Sequence, residues 1–576
     1  MKNKIISLVV IFALVFTMCP SIAYGAETDA KSLLKTRTMK GVLANGDLLE
    51  NSGELEKTKT GATTRAKGMD LSNTVLSKAE YEKIVNRLTN LDNLKPNARK
   101  IVVNVKGFGI NEKNLDKVIE YLINSTPEIF YLADIYDYIL GDNYRDIETL
   151  EFWLRENVNT IKSQKAKINK EISNFDREIK QSINGFSDAE IVLFVHDYLA
   201  RKVAYDSDGV DSGREDPSVY DIYGVFGNKL AVCQGYSLAA ELLLKRYNIN
   251  CGIASSNREN HAWNVVEVDN KWYHMDITWD DPAYDVPGNV YHDFVLLSDN
   301  ALYKQEDCAN RKDYIAMTIG DAKYKNAVDN KYSNFFWKAS ESPMHYYNNC
   351  WYFMDAKRFQ LKTYNFDTRK TATLLTSKNV KSKVEWGDGL GSYWQGNYSK
   401  IVGKKNYIYF SSAKDIYRMK IVGNNKYLIK VFTLPKTNKS IFGMSEKNGV
   451  INYVASTTPN FSRDLYKNNL VKTTNIKTGL SARIVNVTPE KTNIKLKLTS
   501  NSVDNSISKD KVKYRIYYKW HKDKNYKSFV SNKPVATILK LKSKHTYQIK
   551  VKPFYNLTKS RIISGETTLA KKYVTK

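Results

Sequence analysis

Three residues have the types and the order of a thiol-based catalytic site. Cys233, His261 and Asp276 stand 28 and then 15 residues apart along the chain. A cysteine thiolate is a strong nucleophile, an imidazole can carry a proton to and from reacting atoms, and a carboxylate can hold that imidazole in one tautomer. Such a set predicts covalent acyl transfer through a thioester, provided that the fold brings the three side chains together.

A predicted helix positions the cysteine. Residues 237–247 carry leucines on one helical stripe, and the turn-like residues 227–229 come before them, so Cys233 falls near the helix N-terminus. Unpaired N–H groups and the helix dipole at that end favour a thiolate. The alternative for an isolated cysteine is a small buried hydrophobic side chain.

A predicted hairpin positions the other two residues. Residues 261–268 and 271–278 have the pattern of two strands, and the Asp-Asn pair between them suits a two-residue turn. In that register His261 and Asp276 share one face of the hairpin, one diagonal step apart. A slip of one residue would move Asp276 to the opposite face, so the prediction depends on the turn.

Three ordered motifs around these residues resemble the transglutaminase-like family of papain-type folds. They are AVCQGYS at 231–237, HAWN at 261–264 and WYHMDITWDDP at 272–282. The resemblance covers about residues 185–300, and it implies that Cys233, His261 and Asp276 are the catalytic triad. It also implies an enzyme, either a transglutaminase-like acyltransferase or a cysteine peptidase, that crosslinks or hydrolyses peptide or carboxamide bonds.

Two further motifs extend the resemblance to exported bacterial members of the family. They are PEIFY at 127–131 and VHDYL at 195–199. His196 in the second motif is expected to be a structural hydrogen-bonding residue in a helix over 188–201. His274 is expected on the face of Asp276, and packing beside Trp272 is favoured over a catalytic role.

The acidic residues that follow the third motif favour a solvated loop over a calcium site, because their spacing lacks an EF-hand pattern. These residues are Asp280, Asp281 and Asp285. No cofactor and no metal site is predicted from the sequence.

The first 25 residues predict a Sec-type signal peptide. A basic start precedes an apolar run of 12 residues from 5 to 16, and Ala23 and Gly25 are small residues before the cleavage point. Four cysteines follow, too few for a disulfide scaffold, and Cys251 is expected to be structural. We therefore expect a secreted or cell-wall-associated protein with no integral membrane segment in the mature chain.

The length and composition predict a multidomain α+β protein. One core rarely serves more than about 250–300 residues, and this chain has 576, of which 42% are hydrophobic and 26% charged. That balance excludes a wholly disordered chain and a polytopic membrane protein. The predicted parts are a signal peptide (1–25), a flexible leader (26–69), an α/β and helical region (70–184), the papain-like transglutaminase core (185–325), a β-rich repeat region (326–480) and a basic β-sandwich (481–576).

The region before the core has three predicted elements and one long helix. Strands are expected at 100–105 and 129–135, and a helix at 114–122. Residues 147–183 are charged and have helix-like spacing, with Leu150 and Trp153 on the apolar side.

The region after the core has aromatic strands in a loose repeat of about 50 residues. Strands at 350–353, 407–410 and 451–454 each precede a second segment. Those segments contain Tyr364, Tyr417 and Tyr466. The repeat indicates stacked sheets or propeller-like blades.

The C-terminal part is strongly basic. Residues 481–576 hold 23 basic and 5 acidic residues, whereas residues 181–300 hold 8 basic and 19 acidic ones. Its alternating strands and the spacing of Leu541 and Tyr547 resemble fibronectin type III domains. The surplus of +18 predicts attachment to an anionic cell wall. Nucleic acid is not predicted as a partner, because motifs for stacking or base reading are missing.

Two functions remain open at this point. The first is an exported, cysteine-dependent acyl-transfer enzyme that acts on a peptide or protein substrate at the cell surface. The alternative is a non-catalytic binding or scaffolding protein that uses the transglutaminase-like domain to recognise peptides. The complete Cys-His-Asp set favours the enzyme.

Overall fold

A computed structural model gives the three-dimensional structure of the chain. It describes residues 76–376, 401–456 and 480–576 apart from short gaps, and five isolated strand segments. The gaps are 181–184, 257, 282–287, 306–307, 309–310, 313, 319–323, 357, 359, 405, 413, 423–424, 436–437, 448–449, 503–508, 559–560 and 565–566; the isolated strands are 34–38, 68–69, 386–387, 392–393 and 471–473. The predicted signal peptide, most of the predicted leader, Asp285 and Tyr466 lie outside the described residues.

The described α-helices all lie before residue 303. They are Lys78–Thr89 (α1), Leu115–Ser125 (α2), Val158–Lys180 (α3), Asp188–Lys202 (α4), Ser207–Ser212 (α5), Cys233–Lys245 (α6), Ile277–Asp280 (α7) and Asp299–Leu302 (α8). Short 3₁₀ or π turns cover Pro127–Ile129, Pro217–Tyr220, Gly224–Asn228, Phe336–Ala339 and Lys509–Lys511. In the part of the chain that was described and searched, no helix combines the length and the apolar character that a bilayer crossing requires.

Two sheets dominate the first half of the molecule. Their strands, with one short extra pair, are Leu34–Thr38 (β1), Gly68–Met69 (β2), Lys100–Asn104 (β3), Leu132–Leu140 (β4), Ile147–Leu154 (β5), Ala204–Tyr205 (β6), Leu230–Ala231 (β7), Cys251–Ser256 (β8), His261–Val268 (β9), Lys271–Met275 (β10), Val295–Leu297 (β11) and Ile315–Thr318 (β12). The orders are β1-β4-β5-β3 and β11-β10-β9-β8-β12-β2. Helix α6 packs against β8 and β9 of the second sheet.

The prediction of one long helix over 147–183 is wrong for its first third. Residues 147–154 form strand β5, which pairs with β3 on one side and β4 on the other, and the helix begins at Val158. Leu150, Phe152 and Leu154 are buried on one face of this strand, and Ile147 and Glu151 are buried on the other. A strand with buried residues on both faces shows no simple alternation, so its sequence pattern resembles that of a helix. The predicted strand at 100–105 and helices at 114–122 and 188–201 are confirmed.

Local sheets follow one another after residue 344. Their strands are His345–Tyr347 (β13), Cys350–Asp355 (β14), Gln360–Asn365 (β15), Lys370–Leu375 (β16), Trp386–Gly387 (β17), Ser392–Tyr393 (β18), Ile401–Lys404 (β19), Tyr407–Ser411 (β20), Asp415–Val422 (β21), Asn425–Thr433 (β22), Ser440–Lys447 (β23), Val450–Ser456 (β24) and Val471–Thr473 (β25). The sheets β13-β14-β15-β16, β19-β20-β21-β22 and β23-β24-β25 are each built from consecutive antiparallel strands. All three predicted aromatic strands are confirmed.

The C-terminal part forms two antiparallel sheets around one core. Its strands are Leu480–Pro489 (β26), Ile494–Ser502 (β27), Lys513–Trp520 (β28), Lys527–Ser531 (β29), Val535–Ile538 (β30), Thr546–Thr558 (β31), Arg561–Ser564 (β32) and Lys571–Val574 (β33). One sheet has the order β26-β27-β30, and in the other β28 and β31 are central, with β33 pairing β31. The Tyr547 hydroxyl accepts a hydrogen bond from the Lys542 N–H at 2.9 Å. The likeness to fibronectin type III domains stays a prediction.

Candidate active site

The cysteine of the predicted set is the first residue of helix α6. Val232 is the N-cap residue, and the Cys233 side chain is buried with 7% exposure. The N–H groups of a first helical turn have no partner inside the helix, so they can stabilise a negative charge beside them. The helix begins four residues before the predicted segment, and the cysteine therefore lies at its N-terminal end.

The hairpin places the histidine against the aspartate. Val268 pairs with Lys271 across the turn, as the predicted register requires, and the two turn residues both have positive φ angles. Strand β10 ends at Met275, earlier than predicted, and Asp276 is the N-cap residue of the short helix α7. The Nε2 atom of His261 lies 2.7 Å from Oδ2 of Asp276.

Cys233 completes the contact on the other side of the imidazole ring. Burial alone would lower the pKa of His261, but the charge and hydrogen bond of Asp276 and a hydrogen bond with Cys233 outweigh it and raise this pKa to about 9. Because Nε2 is engaged by Asp276, the ring nitrogen that faces Cys233 is Nδ1. The three residues that the sequence singled out are therefore neighbours, with the imidazole in the middle.

A buried arginine lies behind the aspartate. Nη1 of Arg311 donates to Oδ2 of Asp276 at 2.7 Å, the same oxygen that His261 contacts. Burial alone would raise the pKa of Asp276, but the charges of His261 and Arg311 lower it to about 2. Asp276 is thus held as a carboxylate, able to orient the imidazole without taking its proton.

Aromatic side chains and a second carboxylate hold this arginine in place. Its Nε donates to Glu259 at 2.6 Å, and its guanidinium lies over the rings of Trp263 and Trp279, 4.7 and 5.0 Å from their centroids. The side chain of Arg311 has no solvent exposure. Sequence reasoning missed this residue, because it lies outside the three motifs and a single arginine has no pattern of its own.

His274 has a supporting position. Its Nδ1 accepts a hydrogen bond from the Trp263 indole at 2.9 Å, and its Nε2 lies 2.9 Å from Asp299. Burial lowers the pKa of His274, and the Asp299 carboxylate only partly offsets this effect. The Trp263 ring is in turn stacked on His261 at 5.8 Å between centroids. His274 therefore fixes a wall of the site.

Within the described residues, one group of three side chains brings metal-ligating atoms together: His196, Asp197 and His292. The ring nitrogens of His196 lie 3.0 Å from Asp197 and 3.1 Å from Asp280. Those of His292 lie 2.8 Å from Asp197 and 2.9 Å from the Ser340 carbonyl oxygen. These separations are those of hydrogen bonds, and the group ties helix α4 to the chain beyond the hairpin.

The charge of His196 depends on this network. Burial alone would lower its pKa, but the hydrogen bonds and charges of Asp197 and Asp280 raise it to about 9. His196 is therefore a buried imidazolium between two carboxylates, in line with the structural role that was expected of it.

The prediction of a solvated acidic loop is wrong for Asp280 and Asp281. Both are buried, with 0% and 2% exposure. Asp280 accepts hydrogen bonds from the N–H groups of Asp293 and Phe294, and Asp281 accepts one from the Tyr236 hydroxyl. Backbone donors thus satisfy the Asp280 carboxylate inside the protein, where water would otherwise be needed, and a hydroxyl donor contacts Asp281.

A cavity of about 250 Å³ lies next to the start of helix α6. Gln234, which follows the cysteine, and Tyr220 both line it. Burial and the charges of Glu215 and Cys233 raise the pKa of Tyr220 to about 12, which places this ring near the thiol. Apolar side chains form much of the remaining wall, and Cys233 itself does not line the cavity.

The other cysteines are placed differently. Cys233, Cys251, Cys308 and Cys350 are all free thiols. Cys251 is buried beside Asn264, and burial raises its pKa well above the ordinary value. The raised pKa makes Cys251 a poor nucleophile, as expected for a structural residue.

Comparison with known proteins finds a similarity for part of the chain. A family model described as the transglutaminase-like superfamily matches residues 177–277. The chain contains a transglutaminase-like domain. A solved structure described as the crystal structure of a TGase is similar at 18% identity and a TM-score of 0.20. The match covers 31% of this chain and 55% of that one, and no curated protein matches the chain.

The matched segment contains all three residues of the candidate set. Helix α6 and the hairpin of the transglutaminase-like domain bring Cys233, His261 and Asp276 together from within residues 177–277. Arg311 and His292 come from beyond that segment. Residues beyond the matched segment therefore contact and stabilise side chains of the transglutaminase-like domain.

Proposed function

We propose that the protein is an exported cysteine-dependent enzyme that transfers acyl groups from peptide or carboxamide bonds. The observation that carries this proposal is the contact of His261 with both Asp276 and Cys233 at the N-terminus of helix α6. A module that only binds peptides would not require a buried imidazole held between a carboxylate and a thiol. The match of residues 177–277 to the transglutaminase-like superfamily gives independent support.

The reaction proceeds through a thioester. The Cys233 thiolate attacks the carbonyl carbon of the substrate, and the backbone N–H of Cys233 stabilises the oxyanion that forms. His261 then gives its proton to the departing amine, so that the C–N bond breaks and the C–S bond remains. An incoming amine or water loses a proton to His261 and attacks the thioester, which gives a crosslink or a hydrolysed product and restores the thiolate.

Asp276 keeps the imidazole productive throughout this cycle. It holds Nε2 and so directs Nδ1 toward Cys233. Its pKa of about 2 leaves it ionised at every step. The predicted signal peptide and the basic C-terminal part support the proposed location at an anionic cell wall, with a peptide or protein as the proposed substrate.

The alkylation rate of individual thiols tests this function. The protein and its His261→Ala and Asp276→Asn variants are treated with iodoacetamide between pH 5 and 10, and mass spectrometry follows each cysteine separately. We expect Cys233 to react readily below pH 7 and the His261→Ala variant to react at least tenfold more slowly there, because the ion pair is lost. The Asp276→Asn variant should react at an intermediate rate, because the imidazolium loses its carboxylate partner. Cys251 is the internal control and should stay unreactive.

A Cys233 thiol that is inert, or that titrates alike in all three proteins, would contradict the proposed ion pair. In that case the non-catalytic peptide-binding function becomes the better one. Since the pKa of His261 is about 9, the imidazolium is present below that pH and is lost above it. Turnover of any identified substrate should therefore fall as the pH rises through about 9.

A further inference from the structure

Among the described residues, every charged side chain on the outer surface of one sheet of the C-terminal sandwich is a cation. Tyr514 and Ile516 of β28 and Ile549 and Val551 of β31 point into the core, so the alternating residues point outward. We call this outward surface the basic face; its cations are Lys513, Arg515 and Lys519 of β28, Lys550 and Lys552 of β31, and Lys572 of β33. The face contains no carboxylate among its described residues.

Like charges stand directly opposite each other on the basic face. Arg515 pairs with Lys552 across the two strands, and Lys550 follows two residues away on the same side. Within the described part of the chain, none of these three side chains forms an ion pair. Directly opposed like charges destabilise an antiparallel sheet. A surface that keeps such a pair uncompensated is suited to an external anion.

Two tyrosine rings hold the central lysine in position. The Lys550 ammonium lies 4.2 Å from the centroid of the Tyr526 ring and 5.5 Å from that of Tyr517. Lys519 lies 5.2 Å from the Tyr526 ring. Cation–π contacts restrict these flexible side chains, so less entropy is lost when an anion binds. The same contacts cover the ring faces with charge.

The outer surface of the opposite sheet is different. Lys495 and Lys497 of β27 are exposed, but Lys495 forms an ion pair with Glu490 at 2.6 Å, and both lysines face uncharged residues of β30, Thr537 and Val535. These cations lack the opposed pairing and the aromatic support of the basic face. They provide a matched control with the same number of charges in the same module.

We propose that the basic face binds a polymer of phosphodiester-linked polyols. The proposal rests on the wall attachment proposed above and assigns it to one surface and one chemistry. Regularly spaced phosphates match the regularly spaced cations of two strands, and the Arg515 guanidinium can grip a phosphate through two N–H groups. Single-stranded nucleic acid shares the phosphodiester backbone but gains much of its affinity by stacking bases on open aromatic rings. Lys550 already lies over one face of each of the two rings, which favours the polyol.

Binding of the full chain to immobilised poly(glycerol phosphate) tests this assignment. The affinity is measured between 50 and 500 mM NaCl for the unmodified protein, for Arg515→Gln with Lys552→Gln, and for Lys495→Gln with Lys497→Gln. We expect the first double variant to bind at least tenfold more weakly at low salt, with a salt dependence shallower by about 1 to 2 in the log–log slope. The second double variant should stay within twofold of the unmodified protein.

Each other outcome overturns a stated part of the proposal. Equal losses in both double variants would mean attraction by net charge, and the basic face would no longer be the site. Absence of binding at low salt would overturn wall attachment through this module as well, while the proposed enzyme is judged separately by the alkylation of Cys233. Stronger competition by a single-stranded oligonucleotide with the same number of phosphates would assign the face to nucleic acid.

Discussion

The transglutaminase-like domain and the basic module use charge in opposite ways. In the domain, ionised side chains such as Asp276 and Arg311 are buried, and each finds a partner at hydrogen-bond distance. In the module the charges lie outside, nearly all have one sign, and Arg515 even stands opposite Lys552. The first arrangement fixes positions and protonation states. The second arrangement leaves a positive electrostatic potential at the surface, which an anionic partner can neutralise.

Part of the acidic surplus of the domain lies in its interior. Residues 181–300 hold 11 more acidic than basic residues, yet Asp197, Asp276, Asp280 and Asp281 are buried in networks. A count of charges along the chain therefore predicts a partner only where the charges reach the solvent. In the C-terminal part they do.

The two regions should differ most in the unfolding free energy that each loses when one cation is removed from it. Arg311→Met leaves Asp276 and Glu259 without their buried partner, and we expect the domain to lose about 3–5 kcal/mol of unfolding free energy. Lys495→Met breaks only the exposed pair with Glu490, and the expected loss is about 0–1 kcal/mol. Hydrogen exchange resolved by region measures both values in the full chain.

Arg311→Lys serves as a control for this contrast. It keeps the charge but loses the fork that joins two carboxylates, so its effect should lie between those of Arg311→Met and the unmodified residue. If Arg311→Met and Lys495→Met cost the same, the distinction between buried and exposed charge in this protein is wrong.

A smaller effect is expected when the stability of the domain is measured as a function of pH. The pKa values of His196 and His261 are raised to about 9 from an ordinary value of 6.5. Their protonation therefore contributes stability that is complete below pH 6.5 and is lost as the pH rises toward 9. The domain should lose up to about 3 kcal/mol for each histidine over this interval. His196→Gln should flatten the pH dependence of stability, measured by hydrogen exchange with correction for the intrinsic rates.

The smallest effect is predicted for the basic face itself. Arg515→Gln with Lys552→Gln removes a like-charged pair from the surface, so the module should keep its stability or gain up to about 0.5 kcal/mol. Thermal unfolding at low salt measures this change, and the gain should vanish at high salt because the repulsion is screened. A clear loss of stability would show that these side chains support the fold rather than face a partner.

Much of the fold and of the candidate site could be predicted from local patterns in the sequence. The two-residue turn fixed the register of the hairpin, and the helix before residue 247 placed Cys233 at an N-terminus. Both depend on residues near in sequence, where periodicity and turn chemistry are informative. The same rules failed at residues 147–154, because burial on both faces removed the alternation that identifies a strand.

Partners that come from distant parts of the chain could not be predicted. Arg311 lies 35 residues after Asp276, and Ser340 lies 48 residues after His292. No spacing rule connects such pairs, since their contact arises only when several elements pack together. For the same reason Asp280 and Asp281 were expected in solvent, although backbone N–H groups of a later segment bind Asp280 in the interior.

The sequence by itself determined which groups can react, in what order they occur, and which local elements present them. It also determined the basic surplus of the last 96 residues. Only the tertiary structure decided that Asp276 is shared by His261 and Arg311, that Asp280 and Asp281 are buried, and that six cations lie on one sheet face. Residue types set the available chemistry, whereas pKa values, burial and shared surfaces depend on neighbours that packing brings from far along the chain.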